Sequence, residues 1–455
     1  MAVGAPSREG SEAGLRPQLS ARQMAMVAVG GSIGTGLLLG AGAAVQIAGP
    51  AVVISYLVAA LLAWIVTNAL GEMASVHPAA GSFGVYADTY LHPWAGFVVR
   101  YAYWFSVSIA VAAEMVAAAT YVHFWFPRVP GALLVVLFAA AVLYLNLRAV
   151  GQYAEVEYWF AMVKVVTIVA FIVIGASLLL GGRVAPQYTA GGGFLPNGIR
   201  SPLLAVSFAL FSFLGIEFVA ISSAEARSAS DIPRATRLAF ALLAFIYVGA
   251  TAVLVGVMPW NRAGVAQSPF VTVFQVVGLP ATSAVMNLVV LSAALSGANA
   301  NLYAGARMLF SLARAGYAPR RAGELNASGS PAVALLASAG WIAIAVVMEH
   351  YAPDTAFVYI VGASLFGGML AWCMALAAHV SFRRTLSRAQ VLALPMRAPG
   401  GWPMSAAGLG GIVACVASMW WAPQSRITVE TGGPLLLLLS VGYVLLRKRR
   451  ITIKP

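Results

Sequence analysis

Lys164 stands near the middle of an apolar run, Phe160-Ala161-Met162-Val163-Lys164-Val165-Val166, where a side chain able to gain and lose a proton is unusual. A lysine at bilayer depth costs about 2.5 to 3.5 kcal/mol on insertion scales, so its amine belongs in the protein interior. Snorkelling to an interface is the bland alternative, since long side chains near helix ends do this. Glu217 and Glu114 pose the same problem with the opposite sign, because an ionised carboxylate in an apolar run needs partners or a proton. Glu217 reads equally as a proton relay and as a structural acceptor for opened backbone in span one. Glu114 reads as a packing or gating partner. Arg100 and Glu72, near the ends of their runs, read as interface pairs, and Arg307 as a gate or anchor.

Two stretches must position this chemistry. Ala28-Val29-Gly30-Gly31-Ser32-Ile33-Gly34-Thr35-Gly36-Leu37 places four glycines in one hydrophobic segment. Each glycine costs a helix interior about 1 kcal/mol against alanine, and a cluster lets the backbone open. Opened backbone survives in hydrocarbon only where protein buries it or it lines a cavity. The bland reading is a close packing face for a neighbouring helix. The sharper reading is a broken helix whose amides at Ser32, Ile33, Gly34, Thr35 and Gly36 hold a carboxylate. A second break is expected at Ser212-Phe213-Leu214-Gly215-Ile216-Glu217. Carbonyls of Phe211, Ser212 and Leu214 would hold an ammonium there, with Phe213 beside them, so the opposed ends suit a zwitterion. Tyr103, Trp104, Phe208 and Tyr303 are weaker candidates for a pocket or gate, because aromatics in membrane helices are more often packing residues.

The chain as a whole is 61% hydrophobic and 9% charged, with a mean hydropathy of +0.87. That composition describes an all-α polytopic membrane protein. Twelve apolar runs are long enough to span a bilayer, from Met24–Ile47 as the first to Gly433–Leu446 as the last. They predict a polar tail over 1–23, spans one to five over 24–180, six to ten over 202–382, eleven and twelve over 404–446, and a basic tail over 447–455. The breaks fall in spans one and six. An offset of five spans makes the two groups run in opposite directions, as a five-plus-five inverted repeat. Of the 27 Lys and Arg, nineteen fall on the side of the termini and five opposite, so both termini are expected in the cytoplasm. The net charge of +13 therefore reflects topology and not nucleic-acid binding. Cys373 and Cys415 form no disulfide framework or metal pattern. No HExxH motif, no phosphate-loop lysine and no GxSxG nucleophile elbow is found, since Gly30-Gly31-Ser32-Ile33-Gly34 has that spacing only inside an apolar helical run, which argues against an enzyme. A channel would show a selectivity-filter loop or rings of charge, and a sensor would carry an added signalling domain.

Gly30 to Gly42 followed by Ala48-Gly49-Pro50 resembles the first-helix signature of amino-acid permeases of the amino acid-polyamine-organocation superfamily. Gly71-Glu72-Met73 with Pro78 to Phe83, Tyr103-Trp104-Phe105 with Glu114, Phe211 to Glu217 with Glu225 and Ile232-Pro233-Arg234, and Asn301 to Met308 with Ala318-Pro319 follow in the same order. The resemblance implies the LeuT-type fold with broken helices 1 and 6. It also implies secondary active transport, by alternating access, of an amino acid across the plasma (inner) membrane, coupled to protons. Lys164 matches the position where sodium-driven relatives hold their cation against span one, so Lys164 and Glu217 are the expected coupling residues. No cofactor or metal is implied, because the proton gradient supplies the driving force. The expected partners are a neutral L-amino acid, protons and lipid; oligomeric state is not readable. An exchanger without proton coupling is the competing expectation, and a channel or transporter-like sensor a weaker one. Arg227-Ser228-Ala229-Ser230-Asp231 and Ser32 depart from the family pattern, the first in a loop and the second where substrate preference is set.

Overall fold

The computed structural model describes residues 19–452 apart from 80, 149, 279, 327, 328, 423 and 424, and leaves aside the side chains of 148, 150–156, 280, 281 and 447–452. Most of the tail expected over 1–23 and the end of the basic tail over 447–455 lie outside the described residues. Every described element is helical, as lipid demands of a chain that must satisfy its own backbone. Ten helical stretches are long and apolar enough to cross a membrane. Span four is a shorter apolar helix, Gly131–Leu147, and span one is interrupted, which completes twelve. Gly40–Val76 is continuous by composition but turns at Gly49, whose φ of 63° and the following Pro50 separate span one from span two. Two starting edges differ most from expectation. Span seven begins at Asp231, and span twelve at Arg426. An Arg426–Glu430 ion pair of 2.8 Å, one helical turn apart, supports turns that an apolar criterion does not register.

The broken spans lie antiparallel. The first half of span one (Ala21–Ser32) packs along the second half of span six, and the second half (Gly40–Ala48) along Ser201–Phe213. Span three (Pro93–His123) packs along span eight (Pro280–Arg314). Span three also packs against the last span of the other repeat, Pro353–Thr385, as span eight does against Val150–Leu180. These reciprocal pairings are those of two oppositely oriented five-helix units.

At the face bearing the termini, buried charges tie the bundle together. Glu72 is fully buried, and its Oε2 accepts from Arg383 Nη2 at 2.7 Å and from the Ala398 amide at 2.5 Å. His379 Nε2 lies 3.2 Å from Oε1. One carboxylate thus joins span two (Val52–Val76), span ten (Pro353–Thr385) and the connection to span eleven (Gly401–Ser418). Arg100 is buried as well, donating from Nε to the Gly96 carbonyl at 3.0 Å and standing 3.5 Å from Asp88. The Leu19 amide donates to the Glu225 carbonyl at 2.8 Å, and Arg307 pairs with the Glu225 carboxylate at 2.8 Å. Removing one partner of a buried pair strands the other, so Glu72→Ala should lower stability by about 3 to 5 kcal/mol. Thermal unfolding of the detergent-solubilised protein measures this, and an unchanged midpoint would show that the cluster adds nothing.

Candidate functional site

Span one opens where its glycines allow a carboxylate to enter. A capping box at Ser20 and Gln23 starts the helix, which stops at Ser32. Ile33 has ψ 81°, Gly34 is extended at φ −124° and ψ −150°, and helical geometry resumes at Thr35. The Thr35 amide, freed by this opening, donates to both oxygens of Glu114 at 3.3 Å. A Cβ on Gly34 would collide with that carboxylate. Span six breaks between Phe213 and Phe218, with Leu214 extended and Gly215 at φ 103°, a conformation that L side chains rarely adopt. A Cβ on Gly215 would fall 2.9 Å from the Ser32 amide nitrogen, and one on Gly36 would fall 2.9 Å from Ser212 Cα. The glycines therefore do both things the sequence suggested. Gly34 opens the helix, and Gly36 and Gly215 bring the two opened segments into backbone contact.

Between the breaks lies a small cavity. Of the residues expected there, Ser32, Gly34, Gly36, Phe211 and Leu214 line it. Ile33, Thr35, Ser212 and Phe213 do not. Thr35 spends its amide on Glu114, Ser212 Oγ bonds Tyr56 OH and the Phe208 carbonyl, each at 3.1 Å, and the Phe213 ring packs edge-on against Tyr247 at 4.7 Å. A further wall comes from span three, where Tyr103, a weaker pocket candidate in the sequence, and Glu114, expected only as a packing or gating partner, are joined by Ser106, Val107 and Ala110, which sequence reasoning missed. Their spacing of three and four residues marks one helical face, and that periodicity was the available signal. Asn301 and Ser364 complete the lining from spans eight and ten. Trp104 points instead to Ser338 Oγ at 2.9 Å, and Tyr303 lies 3.7 Å beneath the Arg307 guanidinium, away from the cavity.

The two glutamates exchange their expected places. Glu217 accepts from Tyr103 OH at 2.7 Å, from Trp372 Nε1 at 3.1 Å and from the Gly215 amide at 3.1 Å, so it serves the opened backbone of its own span. The acid that serves span one is Glu114. Lys164 is 1% exposed and does not snorkel; its Nζ donates to the Gly30 carbonyl at 2.7 Å, in the last helical turn before the opening. Beside it sits Glu157, fully buried, with Oε1 3.9 Å from Nζ and accepting from Ser296 Oγ of span eight at 2.5 Å. Glu157 lies seven residues before Lys164, two helical turns along the same face, a spacing visible in the sequence but not used. The assembled site offers opened amides and carbonyls, small polar hydroxyls and acids held by named donors. That set suits a small molecule carrying both a carboxylate and an ammonium.

The family described as amino acid permease matches residues 23–451. The chain is 35% identical over 451 residues to the gamma-aminobutyric acid permease of Bacillus subtilis (strain 168), covering 98% of this chain and 96% of that one. It is 34% identical over 460 residues to the aromatic amino acid transport protein AroP of Escherichia coli (strain K12), covering 98% and 99%. Among solved structures, a mutant of the Eremococcus coleocola manganese transporter superposes with a TM-score of 0.62 over 99% of this chain and 98% of that one. At 16% identity this is a likeness of fold.

A leucine at Gly34 or Gly36 drives a side chain into Glu114 or into the span-six backbone. Gly34→Leu and Gly36→Leu should abolish ligand binding while leaving membrane insertion and yield near normal. Scintillation-proximity binding on the purified variants checks this, and near-normal binding would reduce these glycines to packing positions.

Proposed function

Because this chain belongs to the amino acid permease family, and is a multi-pass membrane transporter of amino acids and not an enzyme, we propose that it takes up a neutral L-amino acid in symport with protons by alternating access. The substrate carboxylate binds at the opened amides of span one from Ser32 to Gly36, and its ammonium at the carbonyls of Phe211 and Leu214. Among the described residues no cationic side chain lines the cavity to receive an acidic substrate. Ser106, Ala110 and Ser364 line it with small, uncharged side chains suited to a neutral one. The relatives named for gamma-aminobutyric acid and for aromatic amino acids are almost equally similar to this chain, so both substrates belong in the test.

The observation that carries the coupling is the Lys164 ammonium on the Gly30 carbonyl, at the edge of the break. A charged donor bonds a carbonyl about twice as strongly as a neutral one. While protonated, Lys164 therefore holds the first half of span one against span five, and on losing its proton it lets that half move. Substrate and proton then favour the same conformation, which is all that coupling requires. The charge asymmetry of the loops supports cytoplasmic termini in the plasma membrane, so protons enter from outside and leave at the face bearing the termini. Exchange of one amino acid for another, with Lys164 as a fixed charge, is the competing reading.

Proteoliposomes separate the two. A radiolabelled panel of the twenty L-amino acids and gamma-aminobutyrate should show uptake of a neutral amino acid driven by an inward proton gradient and an inside-negative potential. Uptake only of inorganic ions or sugars would sink the substrate class, and sodium dependence the coupling ion. Lys164→Ala should lose concentrative uptake by roughly tenfold or more while keeping counterflow, which needs alternating access but no gradient. Undiminished accumulation by Lys164→Ala would remove the lysine from the coupling step.

A further inference from the structure

Glu157 is buried as deeply as Lys164, and no role assigned so far uses it. It sits in the wedge where spans one, five and eight meet. Its Oε1 is held by Ser296, the Asn299 side chain of span eight also bonds its carboxylate, and that carboxylate fills the space that a Cβ on Gly30 would need. Side chains of a helix tilt toward its N-terminus, so the long Lys164 side chain reaches back toward this acid. Span five starts at the face bearing the termini, which places Glu157 between Lys164 and that face. Among the described residues the charged groups around the pair are few: Lys164 interacts with Glu157 and with Glu114 of span three, while span one offers Gly30 and span eight Ser296 and Asn299 at this point.

We propose that Glu157 is the acceptor to which Lys164 passes its proton on the way to the cytoplasm, an inference that rests on the proton-coupled reading above. An N–H bond of the Lys164 ammonium breaks and an O–H bond forms on a Glu157 carboxylate oxygen. An ammonium and a carboxylate become a neutral amine and a neutral acid, with no change in net charge. Nζ must close from 3.9 Å to hydrogen-bonding distance of Oε1, a shift of about 1 Å that a flexible lysine makes within its own rotamers. The transfer removes two buried charges together, avoiding the unpaired ion that loss of a proton straight from Lys164 would leave. It also takes the charged donor from the Gly30 carbonyl. The first half of span one then separates from span five, water enters from the face of the termini, and Glu157 gives it the proton and returns to carboxylate.

The test uses the full-length protein in proteoliposomes loaded with the pH dye pyranine, driven with whichever of tritiated phenylalanine or gamma-aminobutyrate the wild type takes up. Glu157→Gln keeps the volume beside Gly30 and the acceptor for Ser296 but cannot take the proton. It should keep amino-acid exchange within about threefold of wild type while substrate-driven proton entry falls by roughly tenfold or more, and Glu157→Asp should restore part of the proton flux. Proton entry per substrate equal to wild type in Glu157→Gln overturns the proposal, as does parallel loss of exchange and proton flux in a monodisperse variant, which would make Glu157 a strut only. If Glu157→Gln does not fold, Glu157→Asp decides: a shifted pH profile of uptake supports the transfer and an unshifted one refutes it. A wild type that moves substrate with no proton at all would instead defeat the coupled reading on which the inference stands.

Discussion

Backbone that leaves its helix inside a membrane has to find other partners in the protein, and the charged residues at the centre of this molecule are arranged around that requirement. The Thr35 amide finds Glu114, the Gly215 amide finds Glu217, and the Gly30 carbonyl finds Lys164. Each of these side chains would be expensive alone in hydrocarbon. Each is tolerated because it answers an unpaired group of opposite polarity, and the helices that supply them, spans three, five and six, are fixed around the breaks as a result.

The two breaks are not equivalent. Span six is closed upon itself by Glu217, which also gathers Tyr103 and Trp372 from spans three and ten. Span one depends on acids and an amine from elsewhere, Glu114 on one side of its opening and Lys164 with Glu157 on the other. On the proposed proton-coupled reading, its first half is the piece whose attachment responds to protonation, and span six is part of the frame against which it moves. Leu19 and Arg227, bonded across the same face, add a backbone tie that must also yield when that half is released.

Apolar length made the twelve spans readable, and glycine content located both breaks, because lipid allows few ways to satisfy a backbone. What the sequence conveyed less well was direction. Phe213 flanks the break but turns to Tyr247, and Ser212 turns to Tyr56, since one residue along a helix rotates a side chain by about 100°. Glu114 and Glu217 were both recognisable as buried acids, yet which opened segment each would serve depended on packing between spans that sequence distance does not encode. Glu157 was hidden for another reason: it lies near the beginning of its span, where an acid looks like an end cap until the helix is known to extend to Val150.

Gly30 faces Glu157 and Gly34 faces Glu114, each glycine vacating the space its acid occupies. Neither member of these pairs can drift alone. A methyl group at 30 or 34 becomes admissible only when the opposing acid is shortened, and a shortened acid leaves a void that only a larger residue at the glycine would fill. Variation at these positions is thus expected to be compensatory, and a chain that keeps one member while losing the other will have given up the opened geometry or the charge beside it, however closely the rest of its sequence agrees.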